Sequence, residues 1–241
     1  MSTRLTLLYA HELRATSANV DFLDSSLMYM GIGTTGYATT FFMPTILLEF
    51  HWTQEEAQVH TIPVYVVSAA GMLMVAWLSD RFKHRYAFAM GGVLISTVGY
   101  AILMAQMGNP NLNRETKYAA VFLVCLGGYI ATPMALAWLA NNVSGHWKRS
   151  FSSSIQITIG NFAGIIGTNI FLPRESPTYP TGYGTAFGML WVGALAATLM
   201  VFLMRRENAK RDAGARDHRL ALPREVVANL GDHHPSFRFT L

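Results

Sequence analysis

Tyr118–Ala140 reads YAAVFLVCLGGYIATPMALAWLA, twenty-three residues without an Asp, Glu, Lys or Arg. A helix rising about 1.5 Å per residue needs roughly 20 apolar residues to cross a hydrocarbon layer about 30 Å thick. Five further stretches meet the same condition: Leu27–Leu48, His60–Ser79, Tyr86–Met107, Ser152–Leu172 and Tyr183–Met204. One Asp, Lys or Arg at a span centre costs roughly 2.5–3.5 kcal/mol on insertion scales, so six windows free of them mark lipid as the solvent. The expected fold is an all-α membrane protein with six transmembrane helices. Residues 1–26 precede them as an N-terminal cytoplasmic segment, 27–204 hold the helices, and 205–241 form a basic cytoplasmic tail.

The chain is 51% hydrophobic and 13% charged, and its charge lies in the connections. A net charge of +4 could suggest a nucleic-acid partner, but the basic residues follow the topology rather than a face that could track phosphates. With a cytoplasmic N-terminus, fifteen of the eighteen Lys and Arg lie on the inner side, leaving Arg114, Lys117 and Arg174 outside. The positive-inside bias places both termini in the cytoplasm. Residues 1–26 include His11, Glu12, Asp21 and Asp24 and lack the apolar core and cleavage site of a secretory signal.

Cys125 stands alone inside the fourth span, so neither an intrachain disulfide nor a cysteine metal cluster can form. The adjacent His233 and His234 make a poor metal site, and neither metal nor cofactor is expected. An intramembrane enzyme would need a nucleophile and a base at depth. The spans hold no Asp or Glu, and Ser68, Ser96 and Thr132 have no base beside them in the pattern.

Prolines interrupt three spans. Pro44 and Pro133 predict kinks, tolerated where neighbouring helices and hydroxyls satisfy the freed carbonyls. Pro63 reads as a first-turn proline that costs no helical hydrogen bond. Two motifs are decoys. Gly31-Ile32-Gly33-Thr34-Thr35-Gly36 matches a dinucleotide fingerprint but sits within a span, with no strand before it. Small residues that let helices approach explain it better. Asn142-Val143-Ser144 is a formal glycosylation acceptor that the topology places on the cytoplasmic side.

The fifth span carries the most information. At about 100° per residue, Gln156, Gly160, Gly164 and Gly167 share one face, while Asn161 and Thr168 point elsewhere. The glycines read as a helix-packing face, whereas Gln156 and Asn161 read equally as interhelical hydrogen-bonders or as cavity-lining groups. Tyr37, Tyr65 and Tyr129 lie comparably deep. Each reads singly as aromatic packing; as a set they could stack on or hydrogen-bond a ligand.

Asp80-Arg81-x-x-x-Arg85, in a tight turn after the second span, resembles the loop signature of the major facilitator superfamily, with Ala76 standing where that pattern prefers glycine. Together with Pro44-Thr45-Ile46-Leu47, Asn141 to Arg149, Gln156-x-x-x-Gly160-Asn161, Asn169-Ile170-Phe171, Thr181-Gly182-Tyr183 and Asn229 to Arg238, it resembles the fungal anion:cation symporter branch, the allantoate permease-like transporters. The resemblance runs from about Leu27 to Leu241 and covers the C-terminal half of a twelve-span protein; residues 1–26 fit it poorly, as in a truncated chain. It implies a half-bundle that holds substrate against a second half and works by alternating access, with Asp80, Arg81 and Arg85 latching helices at the cytoplasmic face. The implied substrate is a small organic anion such as an allantoate-like or vitamin-like carboxylate, moved by ion-coupled symport across a plasma membrane. The implied partners are membrane lipid and either an N-terminal six-helix half or a second copy. The spans themselves hold no acidic proton carrier and no countercharge for an anion, so those belong to the other half. The alternative is a transport-silent membrane fragment that only packs with partner helices.

Overall fold

The computed structural model describes residues 20–50, 52–105, 113–176, 178–221, 223, 227 and 230–241. Residues 1–19, most of the expected N-terminal segment, lie outside them. Six long helices follow in order: α1 Val20–Leu48, α2 Gln54–Phe82, α3 Arg85–Ala105, α4 Arg114–Asn142, α5 His146–Asn169 and α6 Pro180–Asp212. Short 3-10 turns occur at Pro173–Glu175, Asp217–Ala221 and Gly231–His233. Among the described residues four helices, α2, α3, α4 and α6, are long and apolar enough to cross a membrane by length and composition. In a bilayer every backbone polar group must be satisfied within the segment, which selects helices for such runs. α1 and α5 are of comparable length but richer in Gly, Thr, Ser and amide residues.

Each apolar run lies almost wholly inside one helix, but the ends differ because caps act in water beyond the run. α2 starts at Gln54 rather than near His60. Thr53 accepts from the Glu56 backbone N–H, and the Glu56 carboxylate accepts from the Thr53 N–H, a reciprocal capping box. Pro63 is therefore not a first-turn residue. It lies in the helix interior and leaves the Val59 carbonyl without its i+4 donor. α5 begins at His146, behind Gly145, whose φ of 95° suits a residue without a Cβ. It ends at Asn169, short of the expected Leu172.

α1 is central, packed against α4, α5 and α6, while α3 lies along α4 and touches α6. Glycines set the closest crossings. A Cβ on Gly31 would lie 2.6 Å from the Gly193 nitrogen, and one on Gly193 would lie 2.9 Å from the Met28 carbonyl oxygen, so α1 and α6 meet backbone to backbone. A Cβ on Gly92 would lie 2.7 Å from the Gly127 carbonyl oxygen at the α3–α4 crossing, where the Ser96 hydroxyl also donates to the Val124 carbonyl at 3.0 Å. Met28, Ile32, Leu190, Met200 and Trp138 fill the core. α2 is the least covered, with Val59, Ile62, Val66, Leu73, Met74 and Trp77 all exposed.

The two ends of the bundle differ chemically. At one end Glu49 accepts from the Ser176 and Tyr179 hydroxyls, and Trp52 stacks on His60 with ring centroids 4.1 Å apart beneath Arg114. The other end gathers the basic connections, and the tail folds back under it. Asn142 donates to the Thr240 carbonyl (3.0 Å) and accepts from its N–H (2.7 Å). Asn208 pairs with Phe239 in the same reciprocal way, both bonds at 2.9 Å. Trp138 Nε1 donates to the Thr240 carbonyl and the Arg85 N–H to the Leu241 carbonyl. Lys148 Nζ reaches both Asp232 oxygens at 2.6 and 2.9 Å, with 16% and 11% of the two side chains exposed. The formal acceptor Asn142 is buried and committed to the tail.

Candidate functional site

An open cavity of about 490 Å³ lies between α1, α2 and α4. α1 supplies Tyr29, Gly33, Tyr37 and Thr40 at helical spacing, so one stripe of that helix forms the wall. α4 contributes Tyr129, Thr132, Pro133 and Leu136, and α2 closes the side with Met72. The volume falls within the usual range for small-molecule sites. Its lining is apolar apart from the Tyr and Thr hydroxyls and contains no Asp, Glu, Lys, Arg or His.

Of the five residues expected to line a cavity or meet a ligand, Tyr37 and Tyr129 line this one, while Tyr65 and Asn161 touch those two without being part of its wall. The Tyr37 hydroxyl donates to Asn161 Oδ1 at 2.8 Å, which ties α1 to α5 and leaves the Asn161 NH2 without a hydrogen-bond acceptor among the described residues. Tyr65 and Tyr129 meet edge-to-face, ring centroids 6.1 Å apart, joining α2 to α4. Pro133 also lacks the N–H that would bond the Tyr129 carbonyl, so this gap in the hydrogen-bond ladder of α4 falls on the cavity wall.

Gln156 departs from the cavity-lining reading. It is fully buried, and its Nε2 donates to Ser25 Oγ at 2.7 Å, with longer bonds of 3.3 Å to the Ser25 and Ala135 carbonyls. It fastens α5 to α1 and α4. The reason is angular: its face of α5 is the one the glycines turn to α1, whereas Asn161 is rotated by about 100°. On that shared face a Cβ on Gly160 would run into the Tyr29 ring. One on Gly167 would lie 2.9 Å from Tyr37 Cβ and 3.0 Å from the Ala38 nitrogen, and Gly164 makes ordinary contact with the Tyr37 ring. The α5 glycines thus abut the two tyrosines that α1 presents to the cavity.

At the basic end Arg85 Nη2 donates to Asp80 at 2.8 Å across the α2–α3 turn. The same guanidinium meets Asn141, whose amide oxygen, oriented to satisfy both groups, accepts at 2.6 and 3.1 Å. Asp80 and Arg85 therefore connect α2, α3 and α4. Arg81 stays apart, exposed and without a hydrogen bond or ion pair among the described residues. The turn closes on Lys83, the left-handed C-cap of α2 (φ 56°), whose N–H bonds the Ser79 carbonyl.

Sequence reasoning missed the tail's docking residues, Trp138, Asn142, Asn208 and Arg211. Asn142 looked like a loop residue because its partner lies 98 positions away. It also missed Tyr29, which fills the space above Gly160. The capping box at Thr53 and Glu56 was there to be read as a Thr-x-x-Glu spacing.

Among known proteins, the family model of the Major Facilitator Superfamily matches residues 25–233. An uncharacterized transporter of Schizosaccharomyces pombe is 34% identical over 205 residues, covering 85% of this chain and 39% of that protein. The MFS-type transporter cnsO of Penicillium expansum is 31% identical over 210 residues, 85% of this chain and 40% of its own length. The high-affinity nicotinic acid transporter of Saccharomyces cerevisiae is 27% identical over 216 residues, 89% and 40% of the two chains. The chain spans about two fifths of the length of these curated relatives. Folded as a six-helix bundle and matched by the family model over most of its length, the chain belongs to the major facilitator superfamily of membrane transporters.

Proposed function

We propose that this chain is the C-terminal six-helix half of a transporter of the fungal anion:cation symporter, allantoate permease-like branch, and that its α1–α2–α4 cavity forms one wall of the path for a small organic anion. The observation that carries the reading is the Tyr37–Asn161 hydrogen bond beside a cavity that lacks ionisable acids and bases. By holding the Asn161 oxygen, Tyr37 turns the NH2 into a free donor. The Tyr65 and Tyr129 hydroxyls add further donors, and their rings offer stacking faces for a planar acid. This set suits a carboxylate, and one relative is named for nicotinic acid. The countercharge and any proton carrier for ion coupling then come from a facing half, either an N-terminal six-helix unit or a second copy. The membrane is the plasma membrane, with both termini cytoplasmic. Asp80 and Arg85 act as a latch at that face, with Arg81 beside them as a solvated inner-side charge. Gly160, Gly164 and Gly167 set the distance between α5 and the cavity tyrosines.

The test is uptake of radiolabelled nicotinate and allantoate into proteoliposomes containing this chain with the N-terminal half of a relative. Uptake is expected for at least one of them, with Asn161→Ala and Tyr37→Phe each raising KM roughly tenfold, the value of one charge-assisted hydrogen bond. Unchanged KM in an N161A/Y129F double variant would remove the cavity from the path. A second reading rests on coverage of only about two fifths of the relatives: alone, the chain is a transport-silent fragment that packs with partner helices. Uptake by this chain by itself would overturn both the need for a facing half and the silent reading.

A further inference from the structure

A second cavity, of about 470 Å³, lies outside the bundle between the end of α6 and the folded-back tail. Its wall holds five cationic side chains against two carboxylates, Glu207 and Asp232. Both carboxylates are already committed. Asp232 is gripped by Lys148. Glu207 is shared, with Arg216 bonding both its oxygens at 2.8 Å and Arg211 reaching one at 3.3 Å. The Arg216 guanidinium holds the Glu207 carboxyl below its ordinary range.

The remaining cations make no ion pair among the described residues. Arg206 and Lys210 sit one turn apart at the mouth, exposed and without a hydrogen bond or ion pair among the described residues. Like charges at i, i+4 repel. Arg219 stands deeper and, among the described residues, donates to the His233 carbonyl at 2.7 Å. Burial, and then the charges of Arg216 and Arg211, disfavour its cation. Leu203 and Phe239 form the apolar part of the wall. Leu203 lies one residue before the end of the apolar run at Met204, which sets the pocket at headgroup depth.

We propose that this pocket is a binding site for a phosphate-bearing anion, with Arg206, Lys210 and Arg219 as its ligands. Guanidinium forks match phosphate oxygens geometrically. A preorganised cluster at the membrane surface attracts such a group from an anionic inner-leaflet lipid or from solution. Bound there, the anion relieves the repulsion among the three cations and ties the tail to the end of α6.

The probes are a fluorescent phosphatidylinositol phosphate and soluble inositol hexakisphosphate, read by anisotropy on the full chain in detergent. Saturable lipid binding is expected. An R206Q/R219Q variant should bind roughly tenfold more weakly or worse, while R114Q/K117Q, which loses the same charge at the opposite end, should match the parent. Displacement by the soluble phosphate assigns the site to phosphate from either source. Displacement by unlabelled lipid alone assigns it to the membrane. Should R206Q/R219Q lose its melting transition, the exposed single change K210Q carries the comparison. The proposal is overturned if neither probe binds saturably, or if both the double variant and K210Q bind as the parent does.

Discussion

Two amides five residues apart on α5 have opposite fates. Gln156 is sealed between three helices with its Oε1 unpaired, so Gln156→Ala should lower stability by about 2 kcal/mol through the lost Ser25 and Ala135 contacts and leave ligand affinity unchanged. Asn161 is exposed beside the cavity, so Asn161→Ala should do the reverse. Melting curves and ligand titration on the two purified variants check both outcomes. This contrast also limits what a sequence can convey about such a site. The periodicity of α5 put Gln156 with the glycines and Asn161 on another face, but which face would meet α1 depended on Tyr29 and Tyr37 packing against Gly160, Gly164 and Gly167. Tyr37, Tyr65 and Tyr129 could be named because phenols at bilayer depth are chemically conspicuous. Their convergence is tertiary and has no local signature.

The elements themselves were largely legible. A run of uncharged apolar residues in lipid has one backbone solution, and each of the six runs lies almost wholly on one helix. Their ends were not, because Thr53, Gly145 and Lys83 act through caps in water, where hydropathy says nothing. Nor was the tail legible, since its docking depends on Asn142 and Asn208 recognising a strand-like segment far along the chain. Two predictions belong at this scale. Gly193→Val should force α6 off α1 and cost about 1–3 kcal/mol, whereas Gly36→Ala, with no atom within 4 Å of its added Cβ, should leave the melting temperature unchanged or slightly raised. The tail should also respond to pH. Burial first, and then Lys148, Arg219 and Arg211, depress the His233 pKa below 6.5, against the opposing pull of Asp232. A depressed pKa means the folded form disfavours the imidazolium. The stability this group gives is therefore complete above its ordinary pKa and is lost as pH falls through the folded value. Protection factors for amide exchange in residues 230–241, corrected for the intrinsic pH dependence of exchange, should fall below about pH 6.5, and His233→Gln should flatten that dependence.

As a molecule, the bundle has a basic end closed by its own tail, an opposite end held by Glu49, Trp52 and Tyr118, and a sparsely covered α2 beside an open cavity. A wall of this kind functions by facing something, and the relatives' greater length is consistent with a second half doing so. Such a wall requires all six helices to cross the bilayer, including α1 and α5, which are richer in Gly, Thr and Ser. Cysteine accessibility tests this directly. With Cys125→Ser as background, single cysteines at Trp52, Arg114 and Arg174 should react with a membrane-impermeant maleimide in intact cells. Those at Lys83, Lys148 and Arg206 should react only after permeabilisation. Lys148 and Arg174 labelling from the same side would mean that α5 does not cross, and the six-helix wall would be contradicted.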